Sequence, residues 1–222
     1  MSAMIARLRA SRLWKVWQAR GAAGRGGLDP AARRVLAGFR PSLIENRAQY
    51  LNHQLASADL DRLRQESFRA SVGTVSLIET DGFCFPCRTW RSFATPGGAS
   101  GPDGAVAPNW REGLICPVCG LNSRMRASVH LLKECLKPTR GSRLYVTEQV
   151  TPLYRWVKAR YRRAVGSEFV RDGTRRGHTN AGGIRHEDMT ALSFADGSLD
   201  HIVSLEVLEH VPDFRQALRE CA

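Results

Sequence analysis

The chain has no run of about 18 consecutive apolar residues, the length an α-helix needs to cross a bilayer, so no transmembrane segment is expected. It also lacks a secretion signal: in the opening MSAMIARLRASRLWKVWQAR, Arg7, Arg9 and Arg12 interrupt what should be an unbroken apolar stretch, which points to a cytoplasmic protein. Without a secretory route a disulfide framework is not expected, and four of the six cysteines fall into two C-x-x-C pairs, the spacing of metal ligands. Acidic groups are scarce as well, 21 against 33 lysines and arginines, leaving a net charge of +12. The deficit is uneven. Residues 1–70 hold 13 basic and 5 acidic groups, residues 139–185 hold 11 and 3, and residues 186–222 hold 2 and 8. A basic body of this kind attracts nucleic acid, phosphorylated sugars or membrane headgroups. Arginine outnumbers lysine throughout and alanine is abundant, so charge alone does not make nucleic acid the leading partner.

At 222 residues and 43% hydrophobic content, the chain is long enough for one full core and a small satellite. Residues 1–80 read as a basic helical region. Ile5, Leu8, Leu13, Val16 and Trp17 form a loosely amphipathic helix, expected to pack on the protein's own body rather than on a membrane surface. The glycine-rich segment 21–27 is a joint. A second helix starts near Asp29, with Pro30 at its first position, and Leu51, Leu55, Leu60 and Leu63 mark helical structure over residues 44–68.

Residues 81–122 contain the most specific chemical signal. Cys84-Phe-Pro-Cys87 and Cys116-Pro-Val-Cys119 can each turn two thiolates toward one point, and two such knuckles complete the tetrahedral sulfur shell that Zn²⁺ favours. Pro86 and Pro117 restrict the turns, and Gly120 offers the open backbone geometry needed after the second knuckle. A Gly/Pro-rich loop, residues 95–109, separates the knuckles. Four thiolates leave no open coordination position, so the zinc is structural rather than catalytic. A redox pair or four unrelated thiols would leave the duplicated spacing unexplained. Cys135 and Cys221 read as ordinary buried thiols.

After Gly120 the pattern alternates helix and strand over residues 123–222. Met125, Val129, Leu132 and Leu136 follow helical spacing up to Pro138 and Gly141. Residues 143–147 read as a buried strand, and Thr151 with Pro152 as N-cap and first turn of a helix running to about Tyr161. Then come a short strand ending near Glu168, a loop to Gly183, a turn at Asp196, Gly197 and Ser198, and a strand over residues 199–204 opened by Asp200. A last helix spans residues 213–222. This alternation predicts an α/β fold with a parallel sheet and helices on both faces.

The segment 183–211, GIRHEDMTALSFADGSLDHIVSLEVLEHV, resembles the class I S-adenosylmethionine-dependent methyltransferases of the type 11 kind, where an acidic residue precedes L-x-F-x-D-x-S-x-D and a strand. Upstream, Cys116 to Gly120, the helix bearing Arg124 and Arg126, and a first strand ending in Glu148 resemble a subgroup with a C-P-x-C-G ribbon and no glycine-rich loop. The resemblance implies an incomplete Rossmann-like sheet behind a small zinc ribbon and N-terminal helices, a chain that stops before the family's last strands, and S-adenosylmethionine as cofactor beside structural Zn²⁺.

It also implies roles. Glu148 touches the cofactor, Glu168 accepts from its ribose hydroxyls, and Asp188 with the backbone of Met189 reads the adenine edge. Leu205, Glu206 and His210 border the sulfonium, with Glu206 and His210 sharing one helical face. His210 is the candidate base for an acceptor that must lose a proton, since histidine titrates near neutrality. Bland readings stand beside these: a surface role for Glu168, a turn cap for Asp188, a packing role for His210. The acceptor expected is a small or sugar-like molecule, with nucleic acid as a second class. The rival reading is a non-enzymatic zinc-ribbon module that binds nucleic acid or a protein partner. Neither spacing nor composition speaks to oligomeric state.

Overall fold

The computed structural model describes residues 30–37, 43–69, 77–96 and 108–222. The expected first helix over residues 1–20, the joint at 21–27 and most of the loop between the knuckles lie outside these residues. The chain divides into two compact units, residues 1–129 and 130–222. Among the described residues, no helix is long and apolar enough to cross a membrane.

In the first unit, α1 (Pro30–Ala37) begins at the proline, whose fixed φ and missing N–H suit a first helical turn. The long α2 (Arg47–Arg69) forms where helical spacing was read. Its Leu51, Leu55 and Leu63 stay exposed, however, so charge-rich sequence and local bonds rather than burial accompany this helix. Next, β1 (Leu77–Cys84) and β2 (Thr89–Pro96) pair antiparallel from Leu77 opposite Pro96 to Cys84 opposite Thr89. Phe93 is buried beside Gly82, where a Cβ would lie 2.7 Å from the Phe93 ring; the glycine is required by space. Ala94 and Ile115 exchange backbone bonds of 3.1 and 2.7 Å, which brings the second knuckle to the hairpin.

Helix α3 (Ser123–Leu131) is capped by Asn122, whose Oδ1 accepts from the Met125 amide at 2.9 Å. It continues as a π-turn (Leu132–Leu136) closed by the Lys137 amide on the Leu132 carbonyl. This corrects the expected stripe. Met125, Val129 and Leu132 are buried, but the wider turn rotates Leu136 out to 49% exposure and leaves Cys135 exposed rather than buried.

The second unit is built on a three-stranded parallel sheet in the order β4-β3-β5, from β3 (Leu144–Val146), β4 (Val165–Gly166) and β5 (His201–Val203). Tyr145 stands opposite Val165 on one side and Ile202 on the other. Every residue of β3 is buried, as its apolar sequence requires. Helix α4 (Pro152–Arg160) connects β3 to β4. Thr151 caps it by accepting from the Tyr154 amide at 3.2 Å, worth about 1 kcal/mol, and Leu153, Trp156 and Val157 form its buried face. Tyr145, Met189 and Ala217 anchor a core with Leu192, Phe194, Leu199, Ile202, Val207, Leu208, Val211 and Cys221 packed around it. Helix α5 (Phe214–Glu220) starts at the Asp213 cap and brings Ala217 to that core.

Asp196, Gly197 and Ser198 make the expected turn, with Gly197 at φ +62 and the Ser198 amide bonded to the Ala195 carbonyl. Asp200 is structural: it accepts from the Arg143 backbone at 2.7 Å and pairs with its guanidinium at 2.8 Å, tying the entry of β5 to that of β3.

Gly166 marks a tight approach, because a Cβ there would meet the Glu148 carbonyl oxygen at 2.8 Å and the Tyr154 ring. Neither can retreat without moving the β3–α4 connection. Gly166→Ala is therefore expected to lower stability by about 1–3 kcal/mol, read as a lower urea midpoint at unchanged slope.

Candidate functional site

The cysteines form the first site. Cys84 closes β1, and the turn that follows, with the Arg88 amide bonded to the Phe85 carbonyl, returns Cys87 beside it. In the second knuckle the Gly120 amide bonds the Cys116 carbonyl at 2.9 Å. Gly120 has φ +70 and open space where a Cβ would stand, so conformation and not crowding selects glycine there. All four sulfurs lie within 4.8 Å of one another, with Cys84 to Cys119 and Cys87 to Cys116 both at 3.8 Å.

A tetrahedral Zn–S shell with bonds of about 2.3 Å has S···S edges of about 3.8 Å, so the donor set fits a four-coordinate soft cation. As bare thiols the four titrate as one cluster. S–H donation from Cys119 draws Cys116 far below the ordinary thiol range, and Cys119, holding that proton for Cys116, is pushed far above it. Cys84 and Cys116 are fully buried, and Phe93 and Leu114 pack against them.

Arg124 and Arg126 have structural work at this knuckle. Arg124 donates to both oxygens of Glu112 (2.8 and 3.3 Å), which also accepts from Asn122 at 2.7 Å. The Arg126 guanidinium lies 3.7 Å from the centroid of the Phe93 ring.

The second site is the rim formed by the carboxyl ends of the parallel strands. Glu148 follows β3 and is buried. Glu168 follows β4, and its Oε1 accepts from the Gln149 and Val150 amides at 2.6 and 3.0 Å. One carboxylate oxygen thus holds the loop that follows β3, leaving Oε2 without a partner among the described residues. Gln149 extends the same arrangement: its Nε2 donates to the Gly183 carbonyl and its Oε1 accepts from the Arg185 amide, both at 2.8 Å.

Glu168 and His186 form a parallel bridge, and the Glu187 amide bonds the Glu168 carbonyl, so Asp188 emerges beside the strand that bears Glu168. Asp188 Oδ1 accepts from the Thr190 amide at 2.8 Å and its hydroxyl at 2.7 Å. Burial works to raise the Asp188 carboxyl, but the Thr190 donors, with Arg176 nearby, outweigh it and hold the group below the usual carboxylate range. Met189 turns its side chain into the core, where its sulfur accepts from the Tyr145 hydroxyl at 3.9 Å, so only its backbone faces outward chemistry. Burial pushes the Tyr145 phenol up to about 12, and Ser167 shares a 2.7 Å bond with it.

Beyond β5, the Thr147 hydroxyl donates to Ser204 at 3.2 Å and closes the rim between β3 and β5. Leu205 and Glu206 follow. Glu206 has φ +56, a left-handed backbone unusual outside glycine and asparagine. This overturns the expected shared helical face for Glu206 and His210: the chain bends sharply at Glu206, and His210 ends a separate 3₁₀ turn (Leu208–His210). The His210 side chain is 75% exposed and lies 3.5 Å from Glu209. The rim therefore gathers Glu148, Glu168, Asp188 and the 204–206 bend, while His210 stands in solvent.

Residues 142–222 match the family model of a methyltransferase domain. The matched methyltransferase region takes in the whole parallel sheet and each rim residue. No curated protein and no solved structure gives a significant match to the chain.

Sequence reasoning missed Glu187, which is fully buried and holds Arg185 (2.6 and 2.9 Å) and the amide and hydroxyl of Ser193 (3.0 and 2.6 Å). The signal was present in the i, i+2 pair of opposite charge on an extended segment, which places both side chains on one face.

At the first site, Arg124 holds the Glu112 carboxyl below its usual range, the guanidinium hydrogen bonds acting against burial. The sign follows from linkage: a depressed folded value gives stability that is present above the unfolded value and lost as pH falls through the folded one. The stability advantage of the wild type over Glu112→Gln should be full above the ordinary glutamate range and be lost as pH falls through and below it, measured by thermal melts across an acid pH series.

Proposed function

We propose that the second unit binds S-adenosylmethionine at the strand-end rim and transfers its methyl group to a small or sugar-like acceptor, while the cysteine cluster holds a structural Zn²⁺. The observation that carries this reading is the convergence of Glu148, Glu168 and Asp188 at the carboxyl ends of parallel elements, the place where open α/β sheets bind ligands, within a segment that matches a methyltransferase domain.

The cofactor supplies an electrophilic methyl on a sulfonium. The protein's part is positioning. Glu168 Oε2 accepts from the ribose hydroxyls while Oε1 keeps the 149–150 amides in place, so one side chain fixes both loop and sugar. Asp188 Oδ2 accepts from the exocyclic amine, its partner oxygen being locked by Thr190, and the Met189 backbone meets the ring edge. Glu148 and the bend at Leu205 and Glu206 border the methyl-bearing end, where the unusual Glu206 backbone is a strain of the kind that functional sites retain. His210 is the candidate base for an acceptor that must shed a proton, and its exposure makes it reachable from solvent. In the first unit, Cys84, Cys87, Cys116 and Cys119 supply four thiolates with no open position, which assigns the metal to folding rather than to chemistry.

Titration calorimetry of the full chain with S-adenosylmethionine tests the first half: saturable binding is expected, weakened about tenfold by Asp188→Ala. Absence of saturable binding, or a variant that binds as well as the wild type, rejects it. For the second half, elemental analysis should find one zinc per chain. Cys116→Ser should abolish it, and a chelator should make the four protected thiols reactive to a thiol reagent.

A further inference from the structure

A cleft of about 480 Å³ opens within the second unit, lined by Thr174, Arg175, Arg176, His186, Leu192 and Ser193. Its chemistry is one-sided. The lining residues include two arginines, a histidine and a threonine and no acidic residue, while the Ser193 hydroxyl is already committed to Glu187 and Arg185. The nearest buried acid, Glu187, is already neutralised by Arg185 and saturated by four hydrogen bonds. Asp188, which feels the charge of Arg176, is not part of the lining.

Three side chains are prepared for an incoming acceptor of hydrogen bonds. Arg176 is anchored by Nη1 on the Ala191 carbonyl at 2.7 Å, which orients the guanidinium and leaves its other N–H groups uncommitted among the described residues. The Arg175 side chain makes no hydrogen bond to a described residue, although its carbonyl accepts from the His178 amide and so fixes the backbone beneath it. His186 is more than nine-tenths buried. Its Nδ1 accepts from the Val170 amide at 3.1 Å, so in the neutral ring the proton must sit on Nε2, a donor with no partner among the described residues. The ring is thus buried, with its tautomer fixed by the backbone, in a residue that lines the cleft together with two arginines.

From this geometry we infer that the cleft binds the phosphate of a small phosphomonoester. A tetrahedral dianion can take two guanidinium forks and one imidazole N–H at once, and charge-assisted bonds of this kind are about twice as strong as neutral ones. The cleft volume falls in the range of small-molecule sites, and Leu192 offers apolar contact for the remainder of the ligand. The inference rests on the cleft alone and holds whether or not the rim takes S-adenosylmethionine.

Calorimetric titration of the full chain with inorganic phosphate and with phenyl phosphate, at constant ionic strength, tests it. Saturable binding is expected, tighter for phenyl phosphate, together with a shift of the His186 Nε2 signal in ¹⁵N-labelled protein. Arg175→Gln should weaken binding about tenfold without moving the melting temperature, since that side chain hydrogen-bonds no described residue. Arg162→Gln, which removes the same charge from an exposed position outside the lining, should change nothing. The inference is overturned by any of four results: no saturable phosphate binding, equal weakening by both variants, tighter binding of inorganic phosphate than of the monoester, or tighter binding of a single-stranded oligonucleotide than of phenyl phosphate.

Discussion

The second unit depends on one constraint: β3 is buried along its whole length and paired on both edges. A strand with no exposed face must be apolar, and its neighbours must run parallel for helix α4 to return the chain to the adjacent edge. Once β3 is fixed, the positions of Glu148 and the 149–150 loop follow directly. Those of Glu168 and Ser204 follow from the register with β4 and β5. The backbone segments that bear Glu148, Glu168 and Asp188 are brought to one rim by this pairing, although they are far apart in sequence.

The rim is then held by polar bonds that a glycine-rich loop would not need. Backbone amides at 149 and 150 turn toward Glu168, and the Gln149 side chain bonds the backbone at Gly183 and Arg185 as a strand neighbour would. The result is a loop with side chains standing in for the flexibility of glycine. Such a loop is more fixed before any ligand arrives, which lowers the ordering cost of binding. Nearby, His186 serves the backbone as well, its Nδ1 accepting from the Val170 amide at 3.1 Å.

In the first unit the cysteine cluster and the Glu112 network divide the work. Sulfur geometry brings the two knuckles to one point, and Glu112 ties the second knuckle to the start of α3 through Asn122 and Arg124. The hairpin of β1 and β2 supplies the rigid arm that presents Cys84 and Cys87.

The sequence alone determined what depends on near neighbours. The C-x-x-C spacing, Pro30 and the Thr151-Pro152 pair at helix starts, the turn at Gly197 and the apolar β3 each reflect forces acting within a few residues, so each is legible in the sequence. Tertiary structure decided the rest. The exposure of Leu51 and Leu55 depends on whether another surface covers α2, which helical spacing cannot report. The rotation of Leu136 and Cys135 follows from a single widened turn. The bend at Glu206 that separates it from His210 is a backbone state no propensity favours for glutamate. The use of Glu168 to hold the 149–150 amides, the buried Glu187 hub and the donor set around His186 require segments distant in the chain to meet, and long-range contacts leave no periodicity in the sequence for a reader to find.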